Sequence, residues 1–213
     1  MVTLTEALLQ VAVVKDVHFK GEDVCEAVVD GVKFEDCRFS DCKFIDGARQ
    51  TGTVWKYCNL AEAQFTDCNL GMNKLEKCEA YLLQFLDCAA AGIQIEVEVH
   101  RQISQQLMMG GMVMDGCKMQ YAVFTAGNYA ESRFEKCDLR DCSFAGSNLS
   151  EVSLRESQLE NTDFTGATLD GADLAGAAFE RFDLSVIASY RGMVISQGQH
   201  EAILVSLGLV TLK

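Results

Sequence analysis

A period of five governs this chain. From Met114 to Leu184 every fifth residue is large and apolar: Met114, Met119, Phe124, Tyr129, Phe134, Leu139, Phe144, Leu149, Leu154, Leu159, Phe164, Leu169, Leu174, Phe179 and Leu184. Two residues before most of these centres stands something small, as at Cys117, Ala122, Cys137, Cys142, Ala167 and Ala172. A fixed internal repeat outranks other local signals. On an α-helix a step of five turns about 140° around the axis, so no apolar stripe forms. On a straight strand the odd step sends successive centres to opposite faces. A centre and the residue two before it do share one face of a short extended segment. The next pair falls in register only if the chain bends in between. Each pentapeptide is therefore one short side and one corner, and four sides close a square coil. Coils stack by parallel hydrogen bonding about 4.8 Å apart. The expected fold is all-β, a right-handed quadrilateral β-helix with two projecting loops and a short carboxy-terminal helix.

Corner composition agrees. Ala145-Gly146, Thr165-Gly166, Asp170-Gly171 and Ala175-Gly176 are residue types that accept tight turns. Proline is absent from the 213 residues, as expected where nearly every backbone N–H serves a ladder. Nine of the ten cysteines (Cys37, Cys42, Cys58, Cys68, Cys78, Cys88, Cys117, Cys137 and Cys142) occupy the small inward position. Their spacing follows the repeat and not a C-x₂-C zinc pattern, so they read as compact core residues.

The earlier part of the chain keeps the same rule in two further registers. The first runs Val14, Phe19, Val24, Val29, Phe34, Phe39, Phe44; the second runs Trp55, Leu60, Phe65, Leu70, Leu75, Ala80, Phe85, Ala90, Ile95. Between them lies a polar break at about 46–53, and a longer break at about 96–111 precedes Met114. Long breaks in a compact fold are commonly functional. Arg49 and Gln50 in the first, and His100, Arg101, Gln102, Ile103, Met108 and Met109 in the second, are the expected partner contacts. Residues 1–195 are assigned to the solenoid, with residues 1–12 covering its open end. Tyr190 and Arg191 read as finishing the last coil. Residues 196–213 read as a helix and strand that cap the solenoid and form a two-fold interface through Ile203, Leu204, Leu207, Leu209, Val210 and Leu212.

The formal charge is −13, with a sequence pI near 4.6. Asp36, Asp41, Asp46, Asp67, Asp87 and Asp141 fall at corners and give an acidic surface. His18, His100 and His200 share no ligand spacing, and neither a phosphate loop nor a nucleophile motif is present. No catalysis, cofactor or metal is expected. With no basic amino-terminal region and no apolar run of membrane length, the expected location is cytoplasmic.

The run Asp163-Phe164-Thr165-Gly166-Ala167-Thr168-Leu169-Asp170-Gly171-Ala172-Asp173-Leu174 resembles the Ala-Asp/Asn-Leu-x-x consensus of the pentapeptide-repeat proteins. Three features are similar to the Qnr-type quinolone-resistance proteins. They are the two unequal register breaks, the segments Phe44-Ile45-Asp46 to Cys58-Asn59-Leu60 and Ala91-Gly92-Ile93-Gln94-Ile95, and the Leu-rich end through Leu207-Gly208-Leu209-Val210. The resemblance implies a homodimeric mimic of DNA that binds DNA gyrase and topoisomerase IV as protein partners, without contacting nucleic acid itself, and protects them from quinolones. Two other functions are compatible with the same repeats. One is self-immunity against a peptide or natural-product gyrase poison, as in the microcin- and albicidin-resistance relatives; the other is a scaffold for an unrelated partner.

Overall fold

The computed structural model describes residues 13–209 except 26 and 104. The amino-terminal entry, Val210 and Leu212 lie outside the described residues. The chain winds as a four-sided parallel β-helix. One side stacks His18–Lys20, Arg38–Ser40, Gln64–Thr66, Gln84–Leu86, Val113–Asp115 and Arg133–Glu135 into a six-stranded sheet. The opposite side stacks Val28–Asp30, Val54–Lys56, Lys74–Glu79, Gln94–Glu98 and Val123–Phe124. Between them the sides are narrower: Val13–Lys15 pairs with Lys33–Glu35, and the later coils are joined by single parallel bridges such as Asn59↔Glu79 and Asn69↔Ala89.

Register follows the repeat. Phe19 pairs with Phe39, Phe65 with Phe85 and Met114 with Phe134, each 20 residues on, which is four pentapeptides. Across the first break Phe39 pairs with Phe65, six residues more. Across the second, Phe85 pairs with Met114, nine more. Both breaks are therefore insertions into an otherwise constant coil.

Each centre fills the interior. Phe39 stacks on Phe65 with centroids 4.4 Å apart, and Phe124 on Phe144 at 4.3 Å, the offset arrangement that aromatic quadrupoles favour. The nine inward cysteines are free and buried. Five of them, Cys42, Cys68, Cys88, Cys117 and Cys137, form one column inside a corner. Each thiol donates to a carbonyl of the preceding coil, such as Cys117 to Phe85 O at 3.3 Å and Cys137 to Met114 O at 3.4 Å.

The corners explain the residue choice outside. The residue two beyond each centre adopts a positive φ, between +51° and +75°, through nearly the whole solenoid. Only Gly, and less readily Asn or Asp, enters that region cheaply. At many corners the N–H three residues on also donates to the centre carbonyl, as Ala63 to Leu60 and Cys142 to Leu139. A positive φ at the third residue of such a turn is what type II requires. In the carboxy-terminal coils all four corners close this way, for instance at 144–147, 149–152, 154–157 and 159–162, and the sides contract to single bridges.

One boundary differs from the sequence reading. Glu96–Val99 belong to the coil: Cys78 pairs with Val97 through a bulge, Ala80 N–H donates to Glu98 O, and Val97 and Val99 are buried. The bulge makes the step from Ile95 to Val99 four residues, which hid it from a five-residue template. The second loop is thus 100–111. After Leu184 the ladder continues, with Thr168 bridging Ser189 and Asp173 bridging Val194. The pairing distance is now 21, one residue being absorbed by a 3-10 turn at Leu184–Val186. Tyr190 and Arg191 do belong to this last coil.

The end is closed by residues 196–206. Ser196 and Gln199 form a capping box ahead of the helix His200–Ser206. The buried Gln199 amide donates to Leu174 O (2.8 Å) and Ala177 O (2.6 Å), and Ser206 Oγ donates to Phe182 O (2.6 Å). Carbonyls that a further coil would have paired are thereby satisfied.

Candidate interaction surface

The first loop is a two-stranded hairpin, Ile45–Asp46 against Thr51–Gly52. Its tip is held by the Asp46 carboxylate, which accepts from Ala48 N–H at 2.8 Å and lies 4.0 Å from the Arg49 guanidinium. Gln50 turns its amide onto Gly47 O. Gly52 is required by contact: a Cβ there would sit 2.4 Å from the Met72 backbone. Thr53 already belongs to the coil, buried at an inward position.

A buried polar cluster sits at this loop's exit. Phe44 O accepts from Thr53 N–H (2.9 Å), Thr53 Oγ1 (3.3 Å) and Asn73 Nδ2 (2.8 Å). Asn73 Oδ1 in turn accepts from Trp55 Nε1 at 3.0 Å. Insertion of the hairpin breaks the local repeat, and these side chains restore the pairing that buried groups need.

The second loop is also a hairpin, Arg101–Ile103 against Gln106–Met108, folded back on the solenoid wall. Arg101 ion-pairs with Glu62 at 3.7 Å and stacks over the Tyr81 ring, 4.8 Å from its centroid. His100 Nδ1 accepts from Gly110 N–H at 3.2 Å. Gly110 lies against Tyr81 and Gly111 against the Glu131–Ser132 backbone, so closely that a Cβ at either would clash. Arg101 and His100, expected as partner contacts, are thus anchors within the chain. Met108 and Met109 are exposed, and so is Leu107; Gln102 is exposed beside them.

The acidic residues separate by backbone role. Asp36, Asp41, Asp67, Asp87 and Asp141 all occupy left-handed corners, whereas Asp46 lies in the first hairpin. Asp41, Asp67 and Asp87 stand at the same corner of successive coils, as do Asp16, Asp36 and Glu62 at the preceding one, giving two carboxylate rows along the edges of the six-stranded side. At the carboxy-terminal end Ile203 packs into the chain's own core, Leu204 is half-buried, and Val205, Leu207 and Leu209 face solvent. Among the described residues no His, Cys, Asp and Glu side chains gather as a metal site, and no helix is long and apolar enough to cross a membrane.

Sequence reasoning passed over four exposed apolar residues at left-handed corners: Tyr57, Met72, Leu82 and Tyr121. The available signal was a bulky residue where the repeat calls for Gly, Asn or Asp.

Residues 117–187 match the model of the pentapeptide repeat region. Among solved structures this chain superposes on a trypsin-treated QnrB1, with a TM-score of 0.82, 17% identity and 92% of each chain covered. The fold is that of a pentapeptide-repeat protein. Full-length QnrB1 also matches, with a TM-score of 0.62 and 18% identity over 92% of this chain and 100% of that one. QnrB1 is described as a plasmid-mediated fluoroquinolone resistance protein. Curated proteins give no significant match. The pentapeptide-repeat solenoid accounts for the constant 20-residue coil, and the two hairpins are the places where this chain adds to it.

Proposed function

We propose that this pentapeptide-repeat protein binds DNA gyrase and topoisomerase IV in place of DNA and protects them from quinolone-type inhibitors. The observation that carries the reading is the end-to-end superposition on QnrB1, 92% of both chains at a TM-score of 0.82. The charge supports it. A rod with rows of carboxylates spaced about one coil, ~4.8 Å, apart presents a linear charge array of the kind duplex DNA presents through its phosphates. The Val205, Leu207 and Leu209 surface at the capped end is the interface through which two copies join, doubling the length and the charge of −13. The second hairpin, latched by Arg101, offers Leu107, Met108 and Met109 as its apolar contact with the enzyme.

Binding to purified gyrase, followed by calorimetry between about 50 and 300 mM salt, tests this reading. Association through carboxylate rows weakens steeply as salt rises. No binding at the lowest salt, or binding indifferent to salt, contradicts it.

A further inference from the structure

Beside the first hairpin, on the side that follows the Asp41, Asp67 and Asp87 corner, lies a recess of about 720 Å³. Its position follows from three successive coils at one corner, occupied by Met72, Gly92 and Tyr121. The two bulky residues stand as jaws with φ of +56° and +63°, a conformation that costs a non-glycine residue about 1 kcal/mol or more. Equivalent corners carry Asp141 and Asn161, so the fold itself does not ask for Met or Tyr there. Tyr121 is nonetheless 65% exposed and Met72 42%. Exposed apolar surface at corners where the fold calls for neither residue points to a use outside folding.

The space between the jaws is kept open by small residues. Gly92 lies so near the Met72 thioether that a Cβ would meet Sδ at 2.6 Å, and Gly71, Ala89 and Ala91 complete the floor. Ile45 and Gln50 of the first hairpin close one end, and Val123 stands beside Tyr121. Of the residues lining the recess, Lys43 alone is charged at neutral pH, and no carboxylate lines it, in a chain of net charge −13. Volume and apolar walls with a few amide groups match a small-molecule site.

We propose that this recess binds a flat aromatic small molecule that is neutral or anionic. Its ring lies over the Ala89–Ala91 floor between Met72 and Tyr121, using thioether–aromatic and offset ring contacts. An acidic group on the ligand points to Lys43, whose ammonium stands 3.6 Å from Asp23 and is half exposed. A cationic ligand is favoured by the acidic remainder of the surface and not by this site. Because Ile45, Gly47 and Gln50 form its wall, occupancy also restrains the first hairpin.

Anilinonaphthalenesulfonate, an anion with a flat naphthalene ring whose fluorescence rises in apolar surroundings, is the probe, titrated into the full chain. Saturable binding is expected, weakened about threefold to tenfold by Tyr121→Ser, which removes one ring contact. Ala89→Glu, at an exposed position that can hold the longer side chain without disturbing the core, should weaken it tenfold or more. Bound probe should also slow tryptic cleavage after Arg49. Tyr57→Ser, at an exposed corner outside the recess, serves as the control and should leave probe binding unchanged. The proposal is overturned if no saturable binding occurs, if both recess variants bind as the parent does, or if only Tyr57→Ser weakens binding.

Discussion

Replacing Asn73 by Leu isolates the device that seats the first hairpin. The two side chains have similar volume, so the core keeps its packing while the amide is lost. Phe44 O retains Thr53 N–H and Oγ1 as donors. The Trp55 indole N–H, with Trp55 buried, loses its acceptor at 3.0 Å. An orphaned buried donor costs about 1–3 kcal/mol, partly offset by the apolar gain of Leu, so a local loss of about 2 kcal/mol is expected. A solenoid is held by nearest-neighbour contacts and need not unfold as one unit. The assay is therefore native-state hydrogen exchange at the amides of 53–55 and 73–75, in which opening free energies are read site by site. The same substitution in a Trp55→Phe background has no indole N–H to strand and should cost less than half as much. Equal costs in the two backgrounds, or an opening energy within about 0.5 kcal/mol of the parent, would refute the role assigned to Asn73.

Other consequences can be checked separately. Arg101→Gln removes the ion pair with Glu62 and the stacking on Tyr81. The second hairpin should then open more often by about 1 kcal/mol, read as roughly fivefold faster chymotryptic cleavage near Leu107, with cleavage elsewhere unchanged. The stacked thiols set an alkaline limit. The neighbouring thiol of the column, together with burial, pushes Cys88 and Cys117 up to about 12 from 9.0. The unfolded chain then releases protons that the folded chain retains, so stability is complete below pH 9 and falls as pH rises toward 12. Each such thiol forfeits about 1.4 kcal/mol per pH unit in that window. Cys117→Ala should flatten the decline, and a urea midpoint that holds constant from pH 8 to 11 would count against the account.

The solenoid was legible because its cause is local. A centre, a small partner and a corner recur within five residues, and the paired centres confirm the register on both sides of each insertion. The insertions themselves were legible only as absence of pattern. Val97 and Val99 were missed because one deleted residue puts correct side chains one position early. The seats of the hairpins were hidden because their causes lie far apart in sequence: Gly52 meets Met72, Gly110 meets Tyr81, and Arg101 reaches Glu62. Gln199 satisfies carbonyls of Leu174 and Ala177, a pairing that nothing near Gln199 announces. The acidic corners carry a caution of the opposite kind. Asp at a left-handed turn has a backbone reason to be there, so only the rows it forms in three dimensions bear on function.

The register also supplies the variant that tests the central claim. Replacing residues 100–111 by two turn residues, Asn-Gly, restores the five-residue step from Val99 to Met114 and removes the second hairpin without interrupting the ladder. The decisive measurement is gyrase supercoiling in the presence of an inhibitory fluoroquinolone, with the parent chain and with this variant at equal concentration. The account predicts that the parent restores supercoiling and that the variant, folded by circular dichroism, does not. Supercoiling that stays inhibited with the parent chain at every concentration below self-inhibition would contradict it.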